Sequence, residues 1–87
     1  MARFSLIIRA SAEKELARSG SNADRRRLIT KIYALAADPR PPGCEKLSGI
    51  RDLYRVRQGD YRIVYSIADR VLTVEVIKIG HRREVYR

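Results

Sequence analysis

Apolar and polar residues alternate with a period of two near the N-terminus of the 87-residue chain and through most of its second half. Residues 3–9 (RFSLIIR) place Phe4, Leu6 and Ile8 on one side of a predicted strand. Three further segments alternate in the same way, at residues 52–58 (DLYRVRQ), 60–67 (DYRIVYSI) and 70–79 (RVLTVEVIKI). The pattern predicts one N-terminal strand followed later by an antiparallel meander.

Between the first strand and the meander, the apolar spacing is helical. Ser11 is the predicted N-cap of a short helix over residues 12–18, which Gly20 and Ser21 close. Asn22 is the predicted cap of a longer helix that runs to about Ala37. Four residues at helical spacing should form its buried side: Leu28, Ile32, Leu35 and Ala36.

Proline marks the end of the long helix and the start of a loop. Asp38 precedes Pro39, and a residue before proline is disfavoured in the helical region, so residues 38–45 are a predicted loop. The last segment, GHRREVYR, is polar and should leave the sheet. We therefore expect a single α+β domain over residues 1–87, in which two helices pack on one face of an antiparallel sheet.

The composition adds a strong positive charge to this picture. The chain has 19 Lys+Arg against 10 Asp+Glu, a net charge of +9, and 15 of the cations are arginine, whose guanidinium binds phosphate oxygens bidentately. One cysteine and one histidine exclude an intrachain disulfide and a thiolate- or histidine-based zinc site. No apolar run reaches the ~20 residues of a membrane-spanning helix, and no signal-peptide pattern is present. We expect a cytoplasmic protein whose partners are polyanions or an acidic protein.

Three arginines are predicted to share one face of the first hairpin in the meander. With a turn at Gln58-Gly59, Arg55 lies opposite Arg62, and alternation places Arg57 on the same face. Like charges opposite one another in a sheet cost about 0.2–1 kcal/mol, and a bound phosphodiester would explain why they are kept.

The alternative to a phosphate site is a solvated face whose guanidinium groups splay apart. A turn at Ala68-Asp69 would place Glu75 opposite Arg62, so that Glu75 would neutralise part of this charge. Cys44, in a Pro-Gly loop with no neighbouring base in the sequence, is expected to be an ordinary thiol.

Four residues after the last predicted strand could close over the same groove: His81, Arg82, Arg83 and Tyr86. Cations around a reacting phosphate stabilise the charge that develops in the transition state. The Tyr86 ring could stack on a base, or pack against the sheet edge. His81 could move a proton near neutral pH, or be a polar surface residue.

A second cationic cluster lies in the first turns of the long helix, at Arg25, Arg26 and Arg27. The helix dipole disfavours cations there by roughly 0.3–1 kcal/mol each, and Asp24 offsets part of that cost. The cluster is a candidate contact for a structured RNA backbone, with a solvated helix face as the alternative.

Residues 47–86 contain motifs that resemble the RelE branch of the RelE/ParE superfamily, the toxins of type II toxin–antitoxin pairs. The motifs are L-x-G ahead of YRVR, then GDYRIVY, then IGHRREVY, and the similarity extends over nearly the whole chain. The resemblance implies a compact α+β fold and a cognate antitoxin. We expect that antitoxin to be acidic, partly disordered, and wrapped around the basic surface of the toxin.

The resemblance also implies a ribosome-dependent nuclease. RelE members bind in the ribosomal A site and cut mRNA there without a metal or other cofactor, by attack of the 2′-hydroxyl on the adjacent phosphate. At the matching positions, Arg57 and Arg62 would hold the scissile phosphate. Arg82 would protonate the leaving oxygen, with Arg83 as its substitute because the connection to Tyr86 is shorter here. Tyr86 would stack on or orient the nucleotide.

Arg55 departs from the family pattern, because the best-known member has lysine at the positions of Arg55 and Arg57. Arginine stays protonated at neutral pH and is a poor general base, so electrostatic activation of the 2′-hydroxyl is the expected role. Two other functions remain open. ParE-type relatives share the fold and poison DNA gyrase without nuclease chemistry, and a non-catalytic RNA-binding module would need the arginines only for affinity.

Overall fold

The computed structural model describes residues 3–47 and 52–81, and its elements follow the predicted order. Strand β1 spans Ser5–Ile8, helix α1 spans Ala10–Ala17 and helix α2 spans Asn22–Ala37. The second half contains strands β2, β3, β4 and β5, at Glu45–Lys46, Leu53–Gln58, Tyr61–Ala68 and Thr73–His81, with a short 3₁₀ turn at Asp69–Val71.

The five strands form one mixed sheet in the order β1-β5-β4-β3-β2. Strands β3, β4 and β5 are the predicted antiparallel meander. Strand β1 pairs with β5 in parallel, with Ser5 beside Thr73. Strand β2 adds an edge strand where a loop was predicted, and pairs antiparallel with β3. The predicted α+β class is confirmed, and the parallel pair makes the sheet mixed.

Helix α2 covers one face of the sheet through the four residues that the helical spacing predicts. Leu28, Ile32, Leu35 and Ala36 are all buried. Leu28, Ile32 and Leu35 pack against the alternating buried residues of the meander in one core cluster, which also includes Tyr54, Val56, Ile63, Tyr65, Ile67, Val74, Val76 and Ile79. Phe4, Leu6 and Ile8 pack on this cluster from β1. This cluster therefore lies on the helix side of the sheet, and the other face carries the arginines of the first hairpin beside the buried side chain of Val64.

The predicted helix caps were each misplaced. Ser21, not Asn22, caps α2: its hydroxyl accepts a hydrogen bond from the Asp24 amide, and the Asp24 carboxylate accepts one from the Ser21 amide. This reciprocal pair satisfies two amides that the first helical turn leaves open. Helix α1 begins at Ala10, so Ser11 lies inside it and makes no cap.

Glu15 attaches α1 to the end of β5 that extends beyond β1. One carboxylate oxygen accepts a hydrogen bond from the Ile79 amide at 2.8 Å, and the other contacts the Lys78 ammonium at 3.0 Å. The side chain thereby provides a hydrogen-bond acceptor on the edge of β5 that β1 no longer covers, while β4 pairs with the other edge. Among residues 3–47 and 52–81, no helix is long and apolar enough to cross a membrane.

The predicted strand register was wrong in both hairpins. In the first hairpin, Gly59 takes a positive φ of 62° as the first of two loop residues, so Gln58 pairs with Tyr61. A glycine at this loop position is what such tight hairpins favour, and it moves the turn one residue along from Gln58-Gly59. Arg57 is consequently opposite Arg62, where Arg55 had been expected.

In the second hairpin, the 3₁₀ turn and a bulge at Val64/Tyr65 change the pairing. Glu75 lies beside Ser66 instead of Arg62, and its carboxylate contacts Arg9 at 3.4 Å. The predicted neutralisation of Arg62 by Glu75 is therefore wrong. In the first hairpin, by contrast, the observed register differs from the predicted one by two residues. A shift by an even number keeps each side chain on its face of the sheet, so Arg55, Arg57 and Arg62 remain on the same face.

Candidate nucleic-acid interface

Three arginines lie together on the sheet face opposite the helices. Arg57 and Arg62 are direct cross-strand partners, and Arg55 is two residues before Arg57 on β3. With Gly43, Glu45 and Val56 they line a groove of about 330 Å³, which we call the arginine groove. On the other side of Arg62 its partner in β5 is Gly80, which adds no side chain to this face. The predicted grouping of Arg55, Arg57 and Arg62 is thus present in the structure.

Arg57 and Arg62 contact backbone carbonyl oxygens instead of acids. The Arg57 Nε donates to the Gly59 carbonyl at 3.1 Å, and the Arg62 Nη1 donates to the Tyr61 carbonyl at 3.4 Å. Within residues 3–47 and 52–81, neither guanidinium has a carboxylate within 4.0 Å. Two neighbouring cations that form no ion pair with these residues make a site that attracts an anion.

Arg55 is held differently, by an ion pair with Glu45 on the adjacent edge strand. Glu45 pairs with Arg55 across β2 and β3, and its Oε1 accepts hydrogen bonds from the Arg55 Nη2 at 2.6 Å and Nε at 3.2 Å. The hydrogen bond and the charge of Arg55 lower the pKa of Glu45, and the charge of Arg62 contributes in the same direction. The arginine groove therefore contains an ionised carboxylate beside three cations.

His81 lies away from this groove. It is the last residue of β5, and its ring meets Tyr61 edge-on at a centroid distance of 5.7 Å. The two rings line a separate groove of about 620 Å³ at the end of α1, together with Arg18 and Lys78. Alternation along β5 explains the separation, since Gly80 is the residue beside Arg62.

The basic cluster at the start of α2 makes local contacts. Arg25 donates to the carbonyls of Ser19 and Gly20, at 3.3 and 2.9 Å, and to the side chain of Asn22. Arg27 contacts Asp24 at 3.6 Å, and Arg26 is exposed. Arg25 thus stabilises the turn between the two helices, which favours a structural role for that residue over RNA contact.

Three of the predicted site residues, Arg82, Arg83 and Tyr86, lie outside the described residues. The last described residue, His81, ends β5 one position beyond Gly80, which pairs with Arg62. The proposed roles of Arg82, Arg83 and Tyr86 therefore continue to depend on the sequence resemblance.

Arg40 and its partners form a second polar cluster that the sequence analysis missed. Both terminal nitrogens of Arg40 bind the Asp69 carboxylate, at 3.1 and 2.9 Å, and its Nε donates to the Tyr54 hydroxyl at 3.2 Å. Its guanidinium also lies 5.2 Å from the centre of the Tyr54 ring. This cluster ties the loop after α2 to the sheet beneath it.

A buried tyrosine completes the attachment of that loop. Tyr65 is fully buried, stacks on Tyr54 and donates a hydrogen bond to the Pro39 carbonyl at 2.7 Å. Burial, and then the neighbouring Cys44, raise the pKa of its hydroxyl. The loop leads directly into β2, so these contacts help to position Glu45. Both tyrosines were predictable as core residues, but their polar partners lie in the loop after α2, at sequence separations of 26 residues for Tyr65 and Pro39 and 14 for Tyr54 and Arg40.

Comparison with known proteins gives a consistent set of matches. Residues 6–86 match the family model described as the ParE toxin of the type II toxin–antitoxin system, parDE. The mRNA interferase toxin RelE of Escherichia coli K12 is 37% identical over 79 residues, covering 86% of this chain and 81% of that protein.

Solved structures with the same fold include toxins bound to antitoxins. The archaeal RelE–RelB complex from Pyrococcus horikoshii matches with a TM-score of 0.82 at 30% identity, covering 98% of this chain and all of that one. The intact E. coli RelBE toxin–antitoxin complex matches with a TM-score of 0.75 at 30% identity, covering 97% and 99%.

Proposed function

The chain belongs to the RelE/ParE superfamily of type II toxins, and on that premise we propose that it is an mRNA interferase that cleaves mRNA in the ribosomal A site. The observation that carries the proposal is the cross-strand pair of Arg57 and Arg62 on the open sheet face. Neither contacts a carboxylate among the described residues, so both can engage a phosphodiester.

The proposed reaction is an internal transesterification of RNA. The 2′-oxygen of one nucleotide attacks the adjacent phosphorus, and the 5′-oxygen of the next nucleotide leaves. The products are a 2′,3′-cyclic phosphate and a 5′-hydroxyl. Arg57 and Arg62 bind the non-bridging oxygens and stabilise the negative charge that develops there. Residues assigned by the sequence resemblance complete the scheme: Arg82, or Arg83, protonates the leaving oxygen, and Tyr86 orients the nucleotide.

An antitoxin partner fits both the relatives and the charge. Relatives with 30% identity were solved as complexes with their RelB antitoxins. A net charge of +9 on 87 residues favours an acidic partner in the inhibited state and ribosomal RNA in the active one. We place both states in the cytoplasm, where the ribosome is.

The proposal is tested by incubating the purified protein with ribosomes that carry a defined mRNA and mapping the mRNA ends by primer extension. We expect cuts within the A-site codon, and no cuts when ribosomes are omitted. A message with a 2′-deoxynucleotide at the cut position should remain intact, because it lacks the attacking oxygen. Intact normal mRNA in the presence of folded protein and ribosomes would contradict the proposal.

A second candidate is a toxin that poisons DNA gyrase, which the match to the ParE family model favours. The same protein preparation would then block gyrase supercoiling of plasmid DNA and leave mRNA intact. Substitution of Arg57 and Arg62 separates the two candidates further. The nuclease should lose its toxicity, whereas a gyrase poison that does not use this face should retain it.

A further inference from the structure

A phosphate-binding role does not explain why the arginine groove contains the carboxylate of Glu45. Among the residues that line it, Glu45 is the one carboxylate, and it would repel a phosphodiester. Its side chain is 63% exposed, while that of its partner Arg55 is only 17% exposed. The carboxylate is thus accessible from the groove, and the pair places it beside the cations that would hold the RNA.

The hydrogen bonds leave one of its oxygens available. Both contacts from Arg55 go to Oε1 of Glu45. Within the part of the chain that the structure describes, Oε2 accepts no hydrogen bond. Arg55 therefore fixes the carboxylate through one oxygen, and the other can accept a proton from a bound molecule.

The proposed cleavage needs a group that takes the proton of the 2′-hydroxyl. The three arginines of the groove stay protonated at neutral pH, so none of them can do so. We propose that Glu45 is the general base of the reaction, an inference that rests on the proposed nuclease function. Arg55 is then a positioning residue that orients the base.

The 2′-oxygen transfers its proton to Oε2 of Glu45 as its electron pair forms the bond to phosphorus. The bond from phosphorus to the 5′-oxygen breaks, and that oxygen takes a proton from an acid on the far side of the phosphate. Glu45 afterwards releases its proton to water. No metal, oxidant or reductant enters the step.

The surrounding charges fit this role. Glu45 faces Arg55 on β3 and senses Arg62 on β4, with Lys46 next to it on its own strand, and the contacts of Arg55 keep it ionised at neutral pH. A carboxylate with a lowered pKa is a weak base, but the same cations also stabilise the alkoxide that forms when the proton leaves.

The first test is the single-turnover rate of mRNA cleavage on programmed ribosomes by a Glu45→Gln variant. Loss of a general base typically slows a reaction by about 10²–10⁴-fold, and we expect a loss in this range. Glutamine can still accept hydrogen bonds from Arg55, so ribosome affinity should change by less than about threefold, roughly 0.6 kcal/mol. Glu13→Gln is the matched control, since Glu13 is exposed on α1 outside the groove, and it should cut at the normal rate.

The second test is chemical rescue, which a purely structural role would not allow. A Glu45→Ala variant should be slow, and added formate should restore at least tenfold in rate while having no such effect on Glu45→Gln. A normal rate for Glu45→Gln would overturn the inference and leave the nuclease function intact. A faster rate would identify Glu45 as a competitor of the phosphate instead. Slow variants that formate does not rescue would mean that Glu45 only supports the strand. Absence of cleavage by the unaltered protein would overturn both proposals.

Discussion

Arg40 and Arg57 are both exposed, but their side chains have different hydrogen-bond partners. Arg40 binds the Asp69 carboxylate through two nitrogens and the Tyr54 hydroxyl through the third. Arg57 contacts the carbonyl of Gly59, and no carboxylate lies within 4.0 Å of it among the described residues. The contacts of Arg40 therefore stabilise the fold, whereas the guanidinium of Arg57 is available to bind an anion. The sequence alone could not show which of the two arginines forms an ion pair, because the carboxylate that binds Arg40, Asp69, lies 29 positions further along the chain.

The Arg40–Asp69 pair should make stability depend on pH. The hydrogen bond from Arg40 lowers the pKa of Asp69 in the folded state. A carboxylate with a lowered folded-state pKa contributes stability above its ordinary pKa, near 4, and loses that contribution as the pH falls through the folded value. An Arg40→Gln variant should therefore melt below the normal protein at pH 7, and the difference should shrink as the pH falls toward 3.

Circular dichroism melts between pH 3 and 7 would measure this dependence. Arg70→Gln is the control, since Arg70 is exposed in the 3₁₀ turn next to Asp69. A difference between Arg40→Gln and the normal protein that stays constant over the whole range would show that the ion pair is not its source.

Tyr65→Phe tests the attachment of the loop before β2. The substitution removes the hydroxyl that donates to the Pro39 carbonyl and leaves that buried acceptor without its partner. We expect a loss of about 1–2 kcal/mol in the free energy of unfolding, which lowers the melting temperature by roughly 4–8 °C per kcal/mol in a domain of this size. Tyr33→Phe, on an exposed residue of α2, should leave the melting temperature unchanged. Equal melting temperatures for Tyr65→Phe and the normal protein would contradict this account.

For the strands, hydrophobic periodicity correctly predicted which side chains lie on the buried face of the sheet, but not which residues pair across neighbouring strands. Alternation places Arg55 and Arg57 on one face in any register. Arg62 joins them because the predicted and observed registers differ by two residues, an even number that keeps each side chain on its face. The register itself depended on which residue of the turn takes a positive φ, and the sequence offered Gly59 in two different loop positions. Strand β2 went unpredicted because two residues carry no periodicity, and with it the Glu45–Arg55 pair.

The start of α2 provides a test of the corrected cap. Ser21→Ala removes the hydroxyl that accepts from the Asp24 amide and should cost about 0.5–2 kcal/mol of stability. Asn22→Ala changes the residue that the sequence had indicated, which lies inside the first turn and does not bind that amide. Its effect on the free energy of unfolding in urea should be smaller. A larger loss for Asn22→Ala than for Ser21→Ala would restore the original assignment.

For the whole molecule, the question is whether the charge of +9 acts as a uniform field or through one site. Basic residues are spread along the entire sequence, with net +5 in residues 1–50 and net +4 in residues 51–87. A uniform field would attract ribosomal RNA equally well after loss of any one arginine. The structure instead concentrates three of them in one groove on the open face of the sheet. We therefore assign the proposed reaction to that groove.

The most direct measurement compares two arginines at opposite ends of the same strand. Arg62→Gln and Arg70→Gln each lower the net charge by one, but Arg62 lies in the arginine groove and Arg70 follows the far end of β4. Single-turnover cleavage of mRNA on programmed ribosomes should be about 10²–10³-fold slower for Arg62→Gln, at a melting temperature close to normal, and nearly unchanged for Arg70→Gln. Equal rates for the two folded variants would contradict the assignment of the reaction to this groove.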